Sequence, residues 1–201
     1  MKAILASGNK HKLEEISAIL KDFEYELVTM YDAGLTDFEI IEDGDTFEAN
    51  SLIKAEAVLK ELGVTTLADD SGLEVAYLNG APGVYSARYA GENATYKDNN
   101  KKLLEELAGV EEAKRGAKFV TVITMLFENG DTLVARGEVE GQIITELRGP
   151  EGFGYDPLFY VPEYDKTFAE MGSEVKNKIS HRANALIELK KLLKEYLSEK
   201  N

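Results

Sequence analysis

Apolar positions along this chain switch repeatedly between short continuous runs and helical spacing, which predicts strands and helices in alternation. Residues 3–6 are one such run and predict a central strand at the N-terminus. A polar stretch from Ser7 to Lys12 follows, and then Leu13, Ile16, Ile19 and Leu20 recur at helical spacing opposite Lys12, Glu14, Glu15 and Lys21. The predicted order is strand, glycine-containing loop, helix. Residues 25–30 predict a second strand, and residues 32–43 an acidic loop. Asp45 and Glu48 bracket Thr46 and Phe47 at capping-box spacing and predict a helix start. Phe47, Leu52, Ala55, Val58, Leu59 and Leu62 give that helix its apolar side, and Gly63 predicts its end. Asn50 and Lys54, four apart, share a face of it.

Residues 64–68 predict a short buried strand ending on Asp69 and Asp70, and residues 73–78 a second apolar segment. Residues 78–91 are rich in turn formers yet carry aromatic and apolar anchors, which predicts an ordered loop. Leu103, Leu104 and Leu107 predict a helix over 97–108, closed by Gly109. Residues 119–127 and 132–139 predict a hairpin joined at Asn129-Gly130. A glycine- and aromatic-rich loop spans 147–158, followed by a strand at 159–161 and a helical turn at 167–171. A basic patch from Lys176 to Arg182 leads into a long helix with Leu186, Leu189, Leu193, Tyr196 and Leu197 on one face. No repeat or linker interrupts the pattern, so one domain over 1–201 is expected.

Composition narrows the function classes. The chain carries 37 acidic against 23 basic residues, a net charge of −14, and lacks the basic footprint of a general nucleic-acid binder. A small anionic ligand remains compatible, because local lysines and helix N-termini bind phosphate on acidic proteins. There is no cysteine, hence no disulfide and no thiolate metal site, and the two histidines are too few for an all-protein zinc site. No 18-residue apolar stretch occurs and the N-terminal run is too short for a signal sequence, so a soluble, cytoplasmic protein without a membrane partner is expected.

Three stretches carry candidate chemistry. Asp69 and Asp70 lie between apolar runs, where ionised carboxylates need a divalent cation, a basic side chain or backbone donors; a solvated acidic turn is the alternative. Ser7, Gly8, Asn9, Lys10, His11 and Lys12 lie between a strand and a helix, where backbone N–H groups and cationic side chains suit phosphate, although an ordinary strand-to-helix turn has the same composition. Gly152, Phe153, Gly154, Tyr155 and Asp156 combine close backbone approach with aromatics able to stack on a planar ring. Lys176, His181 and Arg182 form a cationic cluster able to read an anion or a base.

Six motifs then occur in order: Ser7-Gly8-Asn9-x-x-Lys12, Glu42-Asp43-Gly44-x-Thr46-Phe47-x-x-Asn50, Ala68-Asp69-Asp70-Ser71-Gly72-Leu73, residues 80–88, residues 152–157 and Ser180-His181-Arg182. With these the sequence closely resembles the inosine triphosphate pyrophosphatase family, over nearly its whole length. The resemblance implies an α/β fold with a long, twisted, mixed β-sheet flanked by helices, elongated and two-lobed, with the active-site cleft between the lobes. It implies a homodimer and a Mg²⁺-dependent reaction, with Mn²⁺ as substitute, that converts dITP, ITP and XTP to the monophosphate and pyrophosphate. Carried over by residue, Ser7, Gly8, Asn9, Lys10, His11 and Lys12 hold the triphosphate. Asp70 activates water and meets the metal, and Ser71 touches substrate. Phe153, Gly154, Tyr155, Asp156, Lys176, His181 and Arg182 read the nucleotide. Members of the family place a metal-binding Glu where this chain has Ile41, so Glu42 or Asp69 takes that role here.

Two other readings remain at this level. One is a related pyrophosphatase for modified or pyrimidine nucleotides, which the pairing of residues 153–156 with 180–182 disfavours. The other is a nucleotide-binding protein without turnover, which the intact Asp69-Asp70 pair and Lys12 disfavour.

Overall fold

The computed structural model describes residues 1–150 and 152–200, apart from the side chains of His11, Ala18, Ile19 and Ser173. In chain order the elements are β1 (Lys2–Leu5), α1 (Lys10–Leu20), β2 (Glu26–Thr29), α2 (Phe47–Leu62), β3 (Thr66–Val75), α3 (Tyr96–Glu106), β4 (Gly116–Leu126), β5 (Thr132–Ile143), β6 (Phe159–Val161), β7 (Lys166–Thr167), α4 (Phe168–Ile179) and α5 (His181–Glu199). The strands form one open sheet in the order β2-β1-β3-β4-β5-β6-β7. β1 runs parallel to β2 and β3, whereas β6 is antiparallel to both β5 and β7. The sheet is therefore mixed and flanked by helices, as the pattern and the resemblance predict.

The chain forms two compact units. The first comprises Met1–Asp70, Thr121–Gly137 and the chain from Ala185 onward; the second comprises Ser71–Val120 and Glu138–Asn184. In the first unit, strand alternation sends successive side chains to opposite faces. Leu5, Leu67 and Ile123 join Ile16 and Leu20 of α1 and Leu189 and Leu193 of α5 in one core cluster. Their neighbours Ile4 and Ala68, with Leu126 beside Met125, join Ala55 and Val58 of α2 in another. Burying apolar area of this kind contributes about 25 cal/mol per Å² and fixes the strand register, since a one-residue slip would exchange the two sets. The second unit has its own core, in which Leu73, Leu103, Phe119, Phe159 and Phe168 are fully or almost fully buried.

Several boundaries differ from the pattern, each for a local reason. Residues 66–68 and 73–75 of the two predicted segments belong to a single strand, β3, with Asp69 and Asp70 inside it, while Ala76–Leu78 forms a 3-10 turn. A pair of carboxylates reads as a strand end only while its partners are invisible in sequence; here α1 and α2 supply them. α1 begins at Lys10, so Lys10 and Lys12 stand in its first turn and not in the preceding loop. The cap of α2 is Thr46, whose hydroxyl accepts from Ala49 N–H, one residue later than the Asp45 pattern predicts. Gly63 closes α2 as expected. Thr95 and Asp98 form a capping box that starts α3 at Tyr96. The hairpin turn at Asn129-Gly130 is present, and β5 runs on to Ile143. The helical turn near 167 is the start of α4, which reaches Ile179 after a break at Gly172, so Lys176 is a helix residue.

Candidate active site

In the first unit the chemistry gathers at the middle of β3 and the first two turns of α2. Asn50 and Lys54, one turn apart on α2, both reach Asp70. Asn50 Nδ2 donates to Asp70 Oδ2 at 3.1 Å, and Lys54 Nζ lies 3.7 Å from Asp70 Oδ1. The same ammonium is 2.6 Å from Glu42 Oε2, so two carboxylates approach one cation. Asn50 Oδ1 also accepts from Gly44 N–H at 2.8 Å, which fixes the acidic segment against the helix. A Cβ at Gly44 would lie 2.8 Å from that oxygen, so only glycine lets the backbone come this close.

Asp69 faces the other way. Adjacent strand residues point to opposite sides of the sheet, so Asp70 shares the α2 side with Ala68 while Asp69 shares the α1 side with Leu67. There Lys12 Nζ lies 2.8 Å from Asp69 Oδ1 and 2.8 Å from Oδ2. Asn9 caps α1: its side chain accepts from Lys12 N–H at 3.3 Å, and its own N–H donates to Ser7 Oγ at 3.1 Å. Ser7, Gly8 and Asn9 thus bridge β1 to the positive end of a helix. Gly8 has no room for a Cβ, which would meet the ring of Tyr31. Lys10 is exposed. The His11 side chain lies outside the described residues.

In the second unit, Ser71, Gly72, Ser86, Ala87, Tyr96, Asn99, Phe119, Phe153, Gly154, Tyr155, Asp156, His181 and Arg182 line a cavity of about 160 Å³. Phe153 is 54% exposed, and Lys176 Nζ stands 4.5 Å from its ring centroid. Lys176 also donates to the buried Asp156, whose Oδ2 accepts from Phe153 N–H at 3.0 Å. Gly152 permits this turn: its φ is +91°, and a Cβ there would meet Asp156 Oδ2 at 2.5 Å. Tyr155 is buried, donates to Ser86 O at 2.9 Å, and has its hydroxyl pKa pushed up chiefly by burial. His181 is buried against Phe119, with ring centroids 4.9 Å apart and planes 15° from parallel.

The structure therefore brings Asp70 and Glu42 together, Asp69 and Lys12 together, and Ser71, residues 153–156, His181 and Arg182 together. Lys176 joins the last group through Asp156. Asn50, Ser86, Tyr96 and Asn99 were not candidates from sequence. Asn50 was legible as a partner of Lys54 on one helix face; Tyr96 and Asn99 follow the capping box at Thr95 and Asp98. Ser86 lies in the motif at 80–88, and its hydroxyl accepts from Leu73 N–H at 2.8 Å and so ties that loop to β3.

Oxygen donors converging on one cation suit a hard divalent ion, yet among the described residues no three His, Cys, Asp or Glu side chains converge as a metal set. Two carboxylates completed by phosphate oxygens and water are a common arrangement for Mg²⁺. Among the described residues no helix is long and apolar enough to cross a membrane.

Comparison with known proteins agrees with this architecture. A curated dITP/XTP pyrophosphatase of Clostridium perfringens is 54% identical over 202 residues, covering 98% of each chain. One from Bacillus subtilis is 48% identical, covering 95% of this chain and 96% of the relative. The solved structure of the Staphylococcus aureus Ham1 protein superposes with a TM-score of 0.90 at 44% identity, over 98% of this chain and 100% of that one. The Ham1 family model matches residues 3–192, and the chain belongs to the Ham1 family.

Proposed function

We propose that this chain hydrolyses inosine, deoxyinosine and xanthosine triphosphates to the nucleoside monophosphate and pyrophosphate, keeping deaminated purines out of nucleic acid. The observation that carries the reading is Asp70, an acid inside a strand, held by Asn50 and Lys54 with Glu42 on the same ammonium. A carboxylate so placed is fixed in direction and remains an acceptor, which general-base activation of water requires. The relatives named dITP/XTP pyrophosphatases support the substrate class.

In this reading Asp70 takes the proton of the attacking water, whose oxygen bonds to the α-phosphorus as the bond to the bridging oxygen breaks and pyrophosphate leaves. Asp70 and Glu42 would hold Mg²⁺, or Mn²⁺ in its place; the bound ion supplies charge neutralisation on the phosphate oxygens. Ser7, Gly8, Asn9 and Lys10 present N–H groups, a hydroxyl and an ammonium to the triphosphate at the start of α1, with Lys12 as the central cation and His11 at the same turn. In the second unit Phe153 stacks on the purine, Gly154, Tyr155 and Asp156 shape its pocket, and Ser71 contacts the substrate. Lys176, His181 and Arg182 supply donors to the 6-keto oxygen of hypoxanthine or xanthine; the 6-amino group of adenine would face like donors. The protein acts in the cytoplasm as a homodimer.

Pyrophosphate release tests the reading directly. The purified chain with Mg²⁺ should hydrolyse ITP, dITP and XTP with kcat/KM far above that for ATP, and lose activity in EDTA. Equal kcat/KM for ATP and ITP, or full activity in chelator, would refute it. Sedimentation velocity checks the dimer.

A further inference from the structure

We infer that Asp69 is a positioning residue for Lys12 and not a metal ligand, so the two adjacent aspartates serve different ends of one reaction. The inference deepens the proposed function and rests on it for the role of Lys12.

Three observations carry it. First, strand alternation separates the pair: Asp70 faces α2, where Glu42, Asn50 and Lys54 gather, and Asp69 faces α1. One ion held by Asp70 and Glu42 is on the wrong side of β3 for Asp69. Second, both oxygens of Asp69 stand 2.8 Å from Lys12 Nζ, which donates to Oδ1, so a buried carboxylate grips the ammonium. Third, the exposures of the two side chains are unequal. The Asp69 side chain is 2% exposed, that of Lys12 22%. The carboxylate is walled in while the ammonium keeps an open side, so an anion arriving at α1 meets the lysine and not the aspartate. An ammonium has three N–H donors; the grip on Asp69 leaves capacity for a phosphate oxygen.

The grip has a chemical consequence. A lysine on four rotatable bonds loses side-chain entropy when it is fixed on a ligand, and a lysine already held by a buried acid has lost most of it beforehand. Loss of Asp69 should therefore appear in phosphate binding and leave the metal requirement alone.

The test compares D69N, E42Q, K12M and the double variant K12M/D69N. Removing one member of a buried pair strands the other charge, so D69N alone could fail to fold; the double variant removes both charges together and avoids this. Mn²⁺ binding to the free protein, read by electron paramagnetic resonance, should be unchanged within about twofold in K12M/D69N and weakened roughly tenfold or more in E42Q, the loss expected on removing one charged ligand. Where D69N folds, its KM for ITP should rise roughly tenfold to a hundredfold, with kcat within a few-fold, and should not add to that of K12M. Weakened Mn²⁺ binding in K12M/D69N, or KM effects of D69N and K12M that multiply, would overturn the inference. Wild-type protein inert towards ITP would refute the proposed function instead, while the Mn²⁺ comparison still decides whether Asp69 is a ligand.

Discussion

The two units of this chain hold a lysine in the same way and surround it differently. In the first, Lys12 is gripped by Asp69; in the second, Lys176 is gripped by Asp156, and in both pairs the aspartate side chain is 2–3% exposed while the lysine keeps an open side. Around Lys12 stand a helix N-terminus and, across β3, a second carboxylate cluster with Asp70 and Glu42. Around Lys176 stand the rings of Phe153 and Phe168. A buried acid aiming a cation is thus a general positioning device, and what it is for depends on the neighbours. In the proposed function the pair at the start of α1 holds phosphate, and the pair beside Phe153 serves recognition of a flat ring.

The division is broken most directly at the two aspartates. Asp70→Asn keeps the shape of the side chain but cannot accept a proton, and should lower kcat for ITP by on the order of 10²–10⁴ with the fold intact. Asp156→Asn weakens the hold on Lys176 and on the Phe153 backbone, and should act mainly on KM. Steady-state kinetics with ITP decides: equal loss of kcat in both variants would mean that the second unit takes part in the chemistry.

Arg182 sharpens the recognition half. Arg182→Ala should shrink the preference for ITP over ATP by roughly tenfold to a hundredfold, the range for a charge-assisted hydrogen bond, with the rate on ATP nearly unchanged. A preference that survives the substitution would move the discrimination to Lys176 or to backbone donors. Phe153→Ala should instead raise KM for ITP and ATP alike by on the order of tenfold, because stacking is worth about 1–3 kcal/mol per base and does not tell keto from amino. An effect confined to ITP would show that the ring orients the base and does more than carry it.

The same contrast explains what the sequence could disclose. Elements built from local signals were legible: the hairpin at Asn129-Gly130, the end of α2 at Gly63, and the order of strand, loop and helix from β1 to α1. The motif residues of the second unit do line one cavity. What sequence could not disclose was pairing across long separations. Lys12 and Asp69 are 57 residues apart, and without that contact two adjacent aspartates look like the end of a strand. Nor does the run Asp69-Asp70 announce that its members face opposite ways, since that follows only once β3 is known to continue through them. Asn50 escaped for a related reason: its spacing from Lys54 and its place in the motif at 42–50 do not disclose a buried amide bridging Gly44 to Asp70.

The smallest expected effect concerns how each unit fastens its periphery. In the first unit, Asp131 accepts from Asn129, Tyr196 and Lys200, and the Lys200 hydrogen bond is the main cause that holds its carboxyl down at about 2. In the second, Asp98 is also lowered, chiefly by the Thr95 hydroxyl and N–H of its capping box. Both folded values lie below the unfolded value of about 3.9, so each group adds stability above that pH and loses it as pH falls through the folded value. For Asp131 the window runs from about 3.9 down to about 2. Salt separates the two cases. At about 1 M salt the Debye length is about 3 Å, which weakens an exposed ion pair more than a hydrogen bond to a neutral hydroxyl. Carboxyl titration followed by NMR should therefore show the Asp131 midpoint rising with salt while that of Asp98 moves little. Asp131→Asn should remove the salt-sensitive part of the acid stability curve. Equal salt responses at the two carboxyls would mean that the two units fasten their edges in the same way.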